Sequence, residues 1–333
     1  MVFKMPFVKI AGVSVPKVIL GHLPFIGESY QGSVKNQECV ERFSKVENTV
    51  AILSGVVQEY GITVFSAAPS TEGQLAKLHL EAVHETILQT GIEIALIPCL
   101  RILLTVNGKP LDDYRRWLTY YEIEKRIVGE EILEKYLNDP VLQCREGWKE
   151  RFLYALKHSA PYRTEIEKIS IDREGMTHAI ESLKDFNVAF AELGSETDFL
   201  VMIDRMDLLG ELVDWLQGAF GYRTILGTHH AGSAIPTLEK SGIKFQGYVT
   251  PINKKGVMMF PAQELAAKAV RNARKPIIAI KPLAGGRIPP QPALEYVFGD
   301  LNVDTCMIGV SSKEELDQDF TTALRLLRHY EKR

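Results

Sequence analysis

The sequence lacks most of the signatures that would name a function outright. Its four cysteines, Cys39, Cys99, Cys144 and Cys306, stand far apart in 333 residues, with no Cys-x-x-Cys pair. That spacing disfavours a disulfide framework and a zinc ribbon, and a reducing, cytoplasmic setting is expected. No apolar run approaches the roughly 18 residues that a membrane span requires. The opening MVFKMPFVKIAGVSV has neither the sustained apolar core nor the small-residue cleavage site of a secretory leader. Neither sign of charge is in excess: a net charge of −3 makes no electrostatic case for nucleic acid or an anionic membrane. No His-x-His or His-Glu-x-x-His spacing announces a metal. No Gly-x-Gly-x-x-Gly follows the first strand, which lowers a doubly wound dinucleotide-binding sheet.

What is present is strand after strand. The chain is 46% hydrophobic and 24% charged, so there is material for a sizeable core. Residues 7–21 read as a hairpin leading into a first strand at 17–21. Helical spacing of Val46, Val50, Leu53, Val57 and Tyr60 then ends at Gly61. A second strand follows at 62–68, a helix at 75–89, and a third strand at 92–100. Residues 104–172 break the rhythm with three aromatic helical faces, and a structureless loop of that length is improbable. They are read as a helical insertion emerging on the strand-end face, where it would be placed to act as a lid. A helix through Met176, Ile180, Leu183, Phe186, Phe190 and Leu193, capped by Gly194, leads to a fourth strand, DFLVMID, at 198–204. Helices then alternate with TILGTHH (224–230), FQGYVTPIN (245–253), PIIAIKPLAGG (276–286) and TCMIGVSS (305–312). Near-continuous apolar runs with special residues just past their ends are the pattern of buried parallel strands. Eight of them in alternation predict a single α/β domain over residues 1–333, a (β/α)8 barrel with a helical insertion after strand three.

The order of these segments resembles the aldo/keto reductase superfamily. IIAIKPLAGGRI resembles its seventh strand and MIGVSSKEELDQDF its eighth strand with the following helix. TILGTHH and PIN resemble the ends of the fifth and sixth strands, and VILG and EYGITVFSAA the first and second. The resemblance covers the chain except residues 104–172. It implies an oxidoreductase acting on a small carbonyl compound with a nicotinamide cofactor, NAD(P), and a tyrosine acid tuned by lysine and aspartate beside an orienting histidine. Those four positions fall here on Ser66, Thr71, Pro98–Cys99 and Asp204, so the usual tetrad is absent. For the cofactor, backbone at Pro282, Leu283, Gly285 and Gly286 is placed to approach a diphosphate, with Ser311 and Ser312 after the eighth strand. Glu315 takes the place of the phosphate-gripping arginine and Asp319 that of an asparagine. A carboxylate at Glu315 repels a 2′-phosphate, so NADPH is disfavoured and NADH less so.

The strand ends themselves carry His22, Ser66, Cys99, Arg101, Asp204, His229, His230, Asn253, Lys281 and Ser311. Asp204, His230, Ser66 and Cys99 are the catalytic candidates, Cys99 as a nucleophile beside a histidine. His22, Asp204 and one of His229 or His230 could converge on a divalent metal, with Cys99 as a fourth ligand. Adjacent residues on a strand point opposite ways, so at most one of His229 and His230 faces inward. The plainer reading is that these groups line a polar barrel mouth. Arg101 with Arg115 and Arg116 could clamp an anion, although a solvated helix face is the commoner fate of such pairs. Three functions are therefore expected as alternatives. They are nicotinamide-linked oxidoreduction without the tetrad, metal-assisted or acid–base chemistry at the same rim, and non-catalytic binding of a small-molecule ligand. The sequence carries no signal of oligomeric state.

Overall fold

The structure is a computed structural model that describes residues 4–331; the first three residues of the opening segment lie outside it. A hairpin of β1 (Phe7–Ile10) and β2 (Val13–Pro16) precedes the first barrel strand, β3 (Val18–Gly21). Helices α1 (Ser33–Phe43) and α2 (Val46–Tyr60) lead to β4 (Val64–Ala67), and α3 (Gln74–Thr90) to β5 (Ala95–Leu100). The expected stop at Gly61 is there: it caps α2 at φ +67°, a conformation that costs glycine nothing.

Residues 104–172 then form the insertion. It opens with β6 (Leu104–Val106) and β7 (Lys109–Pro110), and continues through α4 (Asp113–Val128), α5 (Glu131–Asn138) and α6 (Trp148–His158). It returns on β8 (Ile169–Ile171), which pairs antiparallel with β6 through Leu104↔Ile171 and Val106↔Ile169. This small sheet, absent from the sequence expectation, ties the two ends of the insertion together beside the end of β5. Trp117, Tyr136, Trp148 and Phe152 pack edge-to-face and stacked inside it, so the three aromatic faces make one core.

After α7 (Arg173–Glu181) and the short β9 (Asn187–Val188) comes the fourth barrel strand, β10 (Ala191–Leu193). Here the structure reverses the expectation. Residues 191–193, read as the end of a helix, are strand; residues 198–204, read as strand, lie largely in α8 (Glu196–Met202) and its C-terminal turn. Gly194 follows a strand and caps no helix. In the apolar run FLVM, Phe199, Leu200 and Val201 are buried and Met202 is partly so, packed against α4, α9, α10 and β11, and a short buried helix and a buried strand have the same hydrophobic signature. The true strand is three residues long with a glutamate at its centre, which hid it.

The remaining elements alternate as expected: α9 (Met206–Phe220), β11 (Thr224–Gly227), α10 (Ala231–Leu238), β12 (Tyr248–Pro251), α11 (Gln263–Asn272), β13 (Ile277–Ile280), α12 (Pro290–Leu294), β14 (Thr305–Gly309) and α13 (Lys313–Glu331). Barrel strands run β3-β4-β5-β10-β11-β12-β13-β14, all parallel, and β14 closes on β3 through Cys306↔Val18 to Gly309↔Gly21. The chain is thus a closed (β/α)8 barrel.

The period of two along each strand sorts the core into two parts. Ile19, Val64, Ile97, Phe190, Ile225, Val249, Ile278 and Met307 point inward and form one cluster with Ile10 and Val15 of the hairpin, which plugs the N-terminal end. Their neighbours Leu20, Phe65, Leu96, Ala191, Leu226, Tyr248, Ala279 and Ile308 point outward to the helices. Fully burying one such aliphatic side chain is worth about 1.5–3 kcal/mol. No helix among the described residues is long and apolar enough to cross a membrane.

Candidate active site

Two residues further along each strand from the inward apolar layer, at the next inward-facing position, the barrel changes character. Ser66 of β4, Cys99 of β5 and Glu192 of β10 take the inward positions, while glycine stands at Gly21, Gly227 and Gly309. The glycines remove side chains and the polar residues line what is left. A cavity of about 750 Å³ opens there, at the C-terminal ends of the strands, and runs outward between the loops after β3, β13 and β14. That is the size of a small-molecule site, on the face where barrels of this class carry one. Gly227 shows the constraint most directly. A Cβ there would lie 2.7 Å from the Leu193 carbonyl oxygen and 3.1 Å from Glu192 Oε1.

Lys281 dominates the cavity. It follows the last residue of β13 at φ +54°, and its Nζ lies 3.1 Å from His229 Nε2 and 4.6 Å from the centre of the Tyr30 ring. No carboxylate makes an ion pair with it among the described residues. Burial therefore pulls the lysine down to about 8, with only distant help from Glu28 and Glu192 to hold its charge. His229 is depressed well below the usual histidine range by burial and by the lysine, so it is neutral. With Lys281 donating to Nε2, the proton of the neutral ring sits on Nδ1.

Two further groups face the same space. Glu192 is paired in strand register with Cys99, and burial raises its carboxyl to about 7, opposed by the charge of Lys281. Burial and the Glu192 charge hold the Cys99 thiol well above its ordinary value, so Cys99 is not a ready thiolate. Ser66 Oγ accepts the His22 backbone N–H at 2.9 Å and lies 2.8 Å from His22 Nδ1. Desolvation lowers His22 to about 4, leaving it a poor base for that hydroxyl near neutral pH.

The sequence-derived candidates thus divide. Ser66, Cys99, His22, His229, Lys281 and Ser311 line the cavity. Asp204 does not: it is exposed at φ +59°, past the end of α8, because the segment expected to be strand four is helix. His230 does not either. It turns the other way, 2.8 Å from Glu124 of α4 and against Trp117, Tyr120 and Phe260. The metal set of His22, Asp204, His229 and His230 therefore does not converge, and among the described residues no three His, Cys, Asp or Glu side chains group as a metal site. Arg116 pairs with Glu196 and Asp113, Arg115 with Glu165, and Arg101 lies 3.8 Å from Glu72. None of the three lines the cavity, and no residue of the insertion does. Reading missed Glu192 because its strand was misplaced. It missed Tyr30 because no strand period marks a loop residue brought over the mouth.

The loop after β13 decides how a dinucleotide would fit. Gly285 and Gly286 are left-handed, as a close backbone approach requires, but what approaches is the chain itself. A Cβ on Gly285 would meet the Tyr30 carbonyl oxygen at 2.9 Å, and one on Gly286 would meet Gln31 at 3.2 Å. Arg287 Nη1 donates to the Tyr30 carbonyl at 2.8 Å and to that of Ala284 at 3.0 Å. Ser311 gives its N–H and hydroxyl to Glu315 Oε2 at 2.7 and 2.9 Å, and Ser312 Oγ caps the N–H of Glu315 at 3.2 Å. Pro282 and Leu283 line the cavity without a free charged group between them. Asp319, buried near Glu315, is raised to about 7. In this arrangement the glycines hold residues 30 and 31, the serines are engaged, and the outer end is acidic. A diphosphate seated on the same backbone does not fit.

Fold and cavity together define a (β/α)8 barrel with a cavity at the C-terminal ends of its strands. Among solved structures, two described as an aldo-keto reductase from Pseudomonas aeruginosa align with 96% of this chain and with 96% and 95% of theirs. Their TM-scores are 0.53 and 0.55, at 12% sequence identity. The chain has the aldo-keto reductase barrel fold, and at that identity the likeness is one of fold alone. No protein-family profile matches the sequence, and no curated protein matches it as a relative.

Proposed function

We propose that this protein is an enzyme that acts on a small carbonyl compound in the barrel mouth by acid–base catalysis. The observation that carries this reading is the contact of Lys281 Nζ with His229 Nε2 inside a cavity of ligand size. A lysine near 8 and a glutamate near 7 exchange protons readily at neutral pH, as catalytic acids and bases must. In this reading the Lys281 ammonium polarises the carbonyl oxygen, His229 holds the lysine in place, and Glu192 supplies or accepts a second proton. The test is a panel of small aldehydes and ketones against wild type and Lys281→Met, with binding read by ligand-observed NMR. Binding that is lost in the folded variant supports the reading, and binding left unchanged in it refutes the assignment.

A second reading, nicotinamide-linked oxidoreduction, is favoured by one observation: the cavity extends from the mouth to the loops after β13 and β14. It requires residues 28–31 to lift from Gly285 and Gly286. Bound there, the cofactor would supply hydride, while Glu315 and Asp319 would oppose a 2′-phosphate and suit a ribose hydroxyl. Titration with NADH and NADPH, followed by cofactor fluorescence, tests it. This reading expects NADH to bind more tightly, and no change with either up to millimolar levels removes it.

A further inference from the structure

We propose that Lys281 is a nucleophile that forms a covalent imine with a carbonyl ligand in the barrel mouth. The inference rests on the carbonyl reading above and deepens it, because it changes the lysine from a proton donor into the atom that bonds to substrate.

Three geometric facts support it. Lys281 stands at a strand end on the wall of a cavity, so a ligand large enough to fill that cavity meets its Nζ. Its polar partner is a neutral imidazole nitrogen at 3.1 Å, and no carboxylate pairs with it among the described residues. The Tyr30 ring lies 4.6 Å away, where it faces a cation on nitrogen. Surface lysines have water or carboxylates to hold their charge; this one has a neutral ring, an aromatic face and distant acids. Burial lowers it to about 8 accordingly, which at pH 7.5 leaves roughly 200-fold more free amine than an unperturbed lysine.

The step balances without an outside reagent. The ammonium of Lys281 loses one proton to solvent water, and the free amine attacks the carbonyl carbon. A C–N bond forms as the C=O bond becomes a hydroxyl, giving a carbinolamine after one proton moves from nitrogen to oxygen. The C–O bond then breaks. The hydroxyl leaves as water with a proton from the Glu192 carboxyl, and the nitrogen keeps one hydrogen in a protonated imine. That cation carries the charge the ammonium had, and it faces the Tyr30 ring and the new Glu192 carboxylate. A protonated imine withdraws electrons from the neighbouring carbon. The ligand class is therefore a small aldehyde or ketone with a bond next to its carbonyl that is to be broken or made.

The test has two arms, because the ligand and the nucleophile can fail separately. In the first, limiting formaldehyde with cyanoborohydride is applied at pH 7.5 and methylation is mapped by peptide mass spectrometry. Lys281 should be alkylated at least tenfold faster than the average of the other lysines, and its rate should rise with a midpoint near pH 8. A rate at or below that average overturns the inference, whatever the natural ligand. In the second arm, hydroxyacetone and pyruvate are trapped with borohydride. A single adduct on Lys281 supports both the imine and the carbonyl reading. Ligand binding with no adduct overturns the imine and leaves the reading standing. A fast Lys281 with neither ketone bound supports the nucleophile and counts against the reading. Lys281→Arg keeps a cation in place and must abolish the adduct. Lys281→Met serves the same purpose should the arginine perturb folding, which circular dichroism reports.

Discussion

His229 and His230 are neighbours in sequence and belong to two different polar regions. His229 turns into the open cavity and meets an amine; burial and that amine drive it well below the usual range. His230 turns under the insertion and meets a carboxylate. Its Nδ1 lies 2.8 Å from Glu124 Oε1, and Glu124 and Asp198 raise its titration against the pull of burial. Glu124 also accepts the Tyr136 hydroxyl at 2.5 Å and the Ser233 hydroxyl at 3.0 Å. Asp198 accepts the His229 backbone N–H at 2.8 Å and the Thr228 hydroxyl. The region around His230 is closed, and its carboxylates are each engaged by several donors, as a network that holds two elements together must be; the Trp117 indole N–H beside the histidine is a buried exception. The region around His229 leaves an amine without a carboxylate and a glutamate near neutrality beside an open space. Matched groups fix structure; mismatched groups in a cavity are where chemistry is to be sought.

Mutations should separate the two regions, beginning with the network. Glu124→Ala removes the acceptor of two buried groups and a partly buried one, and breaking such a buried pair costs about 3–5 kcal/mol. Chemical denaturation should show that loss, and a stability within 1 kcal/mol of wild type would mean that the insertion is held by its aromatic core alone. Glu192→Gln probes the cavity through pH. The folded Glu192 value, about 7, lies above the ordinary 4.5. Between those values the folded protein keeps a proton that the unfolded chain has released, so stability falls as pH rises from 4.5 to 7, by about 3 kcal/mol from this group. His22, lowered from 6.5 to about 4, acts in the opposite sense: its contribution to stability rises between pH 4 and 6.5. The glutamine variant should therefore gain stability relative to wild type as pH rises through this window; parallel curves would place the Glu192 carboxyl in water.

The paired histidine variants give a smaller effect and a sharper contrast. His230→Asn should cost on the order of 1–3 kcal/mol by removing one of the three partners of Glu124. His229→Asn should cost less, while altering the pH midpoint of Lys281 methylation. Equal destabilisation with no change at Lys281 would dissolve the distinction between the regions. Smallest of all is Asp204→Asn, which suits the left-handed backbone there and should change stability by no more than about 0.5 kcal/mol. Any ligand binding at Lys281 should be untouched by it, and a loss would return Asp204 to the site.

Much of the barrel was legible because parallel strands announce themselves by continuous apolar runs with a glycine or proline beyond them. IIAI, TCMIG and VILG lie where that pattern put them. The fourth strand was not legible, since Ala-Glu-Leu carries a charge in a position that only an inward-facing cavity makes tolerable. The next apolar run offered a better strand by every local measure. That single exchange moved the expected site from Glu192 to Asp204. The loop at 28–31 was illegible for another reason: the contact of Tyr30 with Lys281 and with Gly285 spans about 250 residues of chain, and no local period encodes it.

The sequence by itself determined the alternation of strands and helices, the two-faced character of each strand and hence the closed barrel, because those follow from the periods of apolar residues. It also determined which polar residues stand near strand ends. Only the tertiary structure decided which of them meet. Whether a histidine faces an amine or a carboxylate depends on a half-turn of backbone at the end of β11. Whether a glycine leaves room for a ligand or for the chain's own loop depends on what folds over it. The tuning of Lys281 follows from its neighbours, which among the described residues include no paired carboxylate, and only the closed barrel sets those.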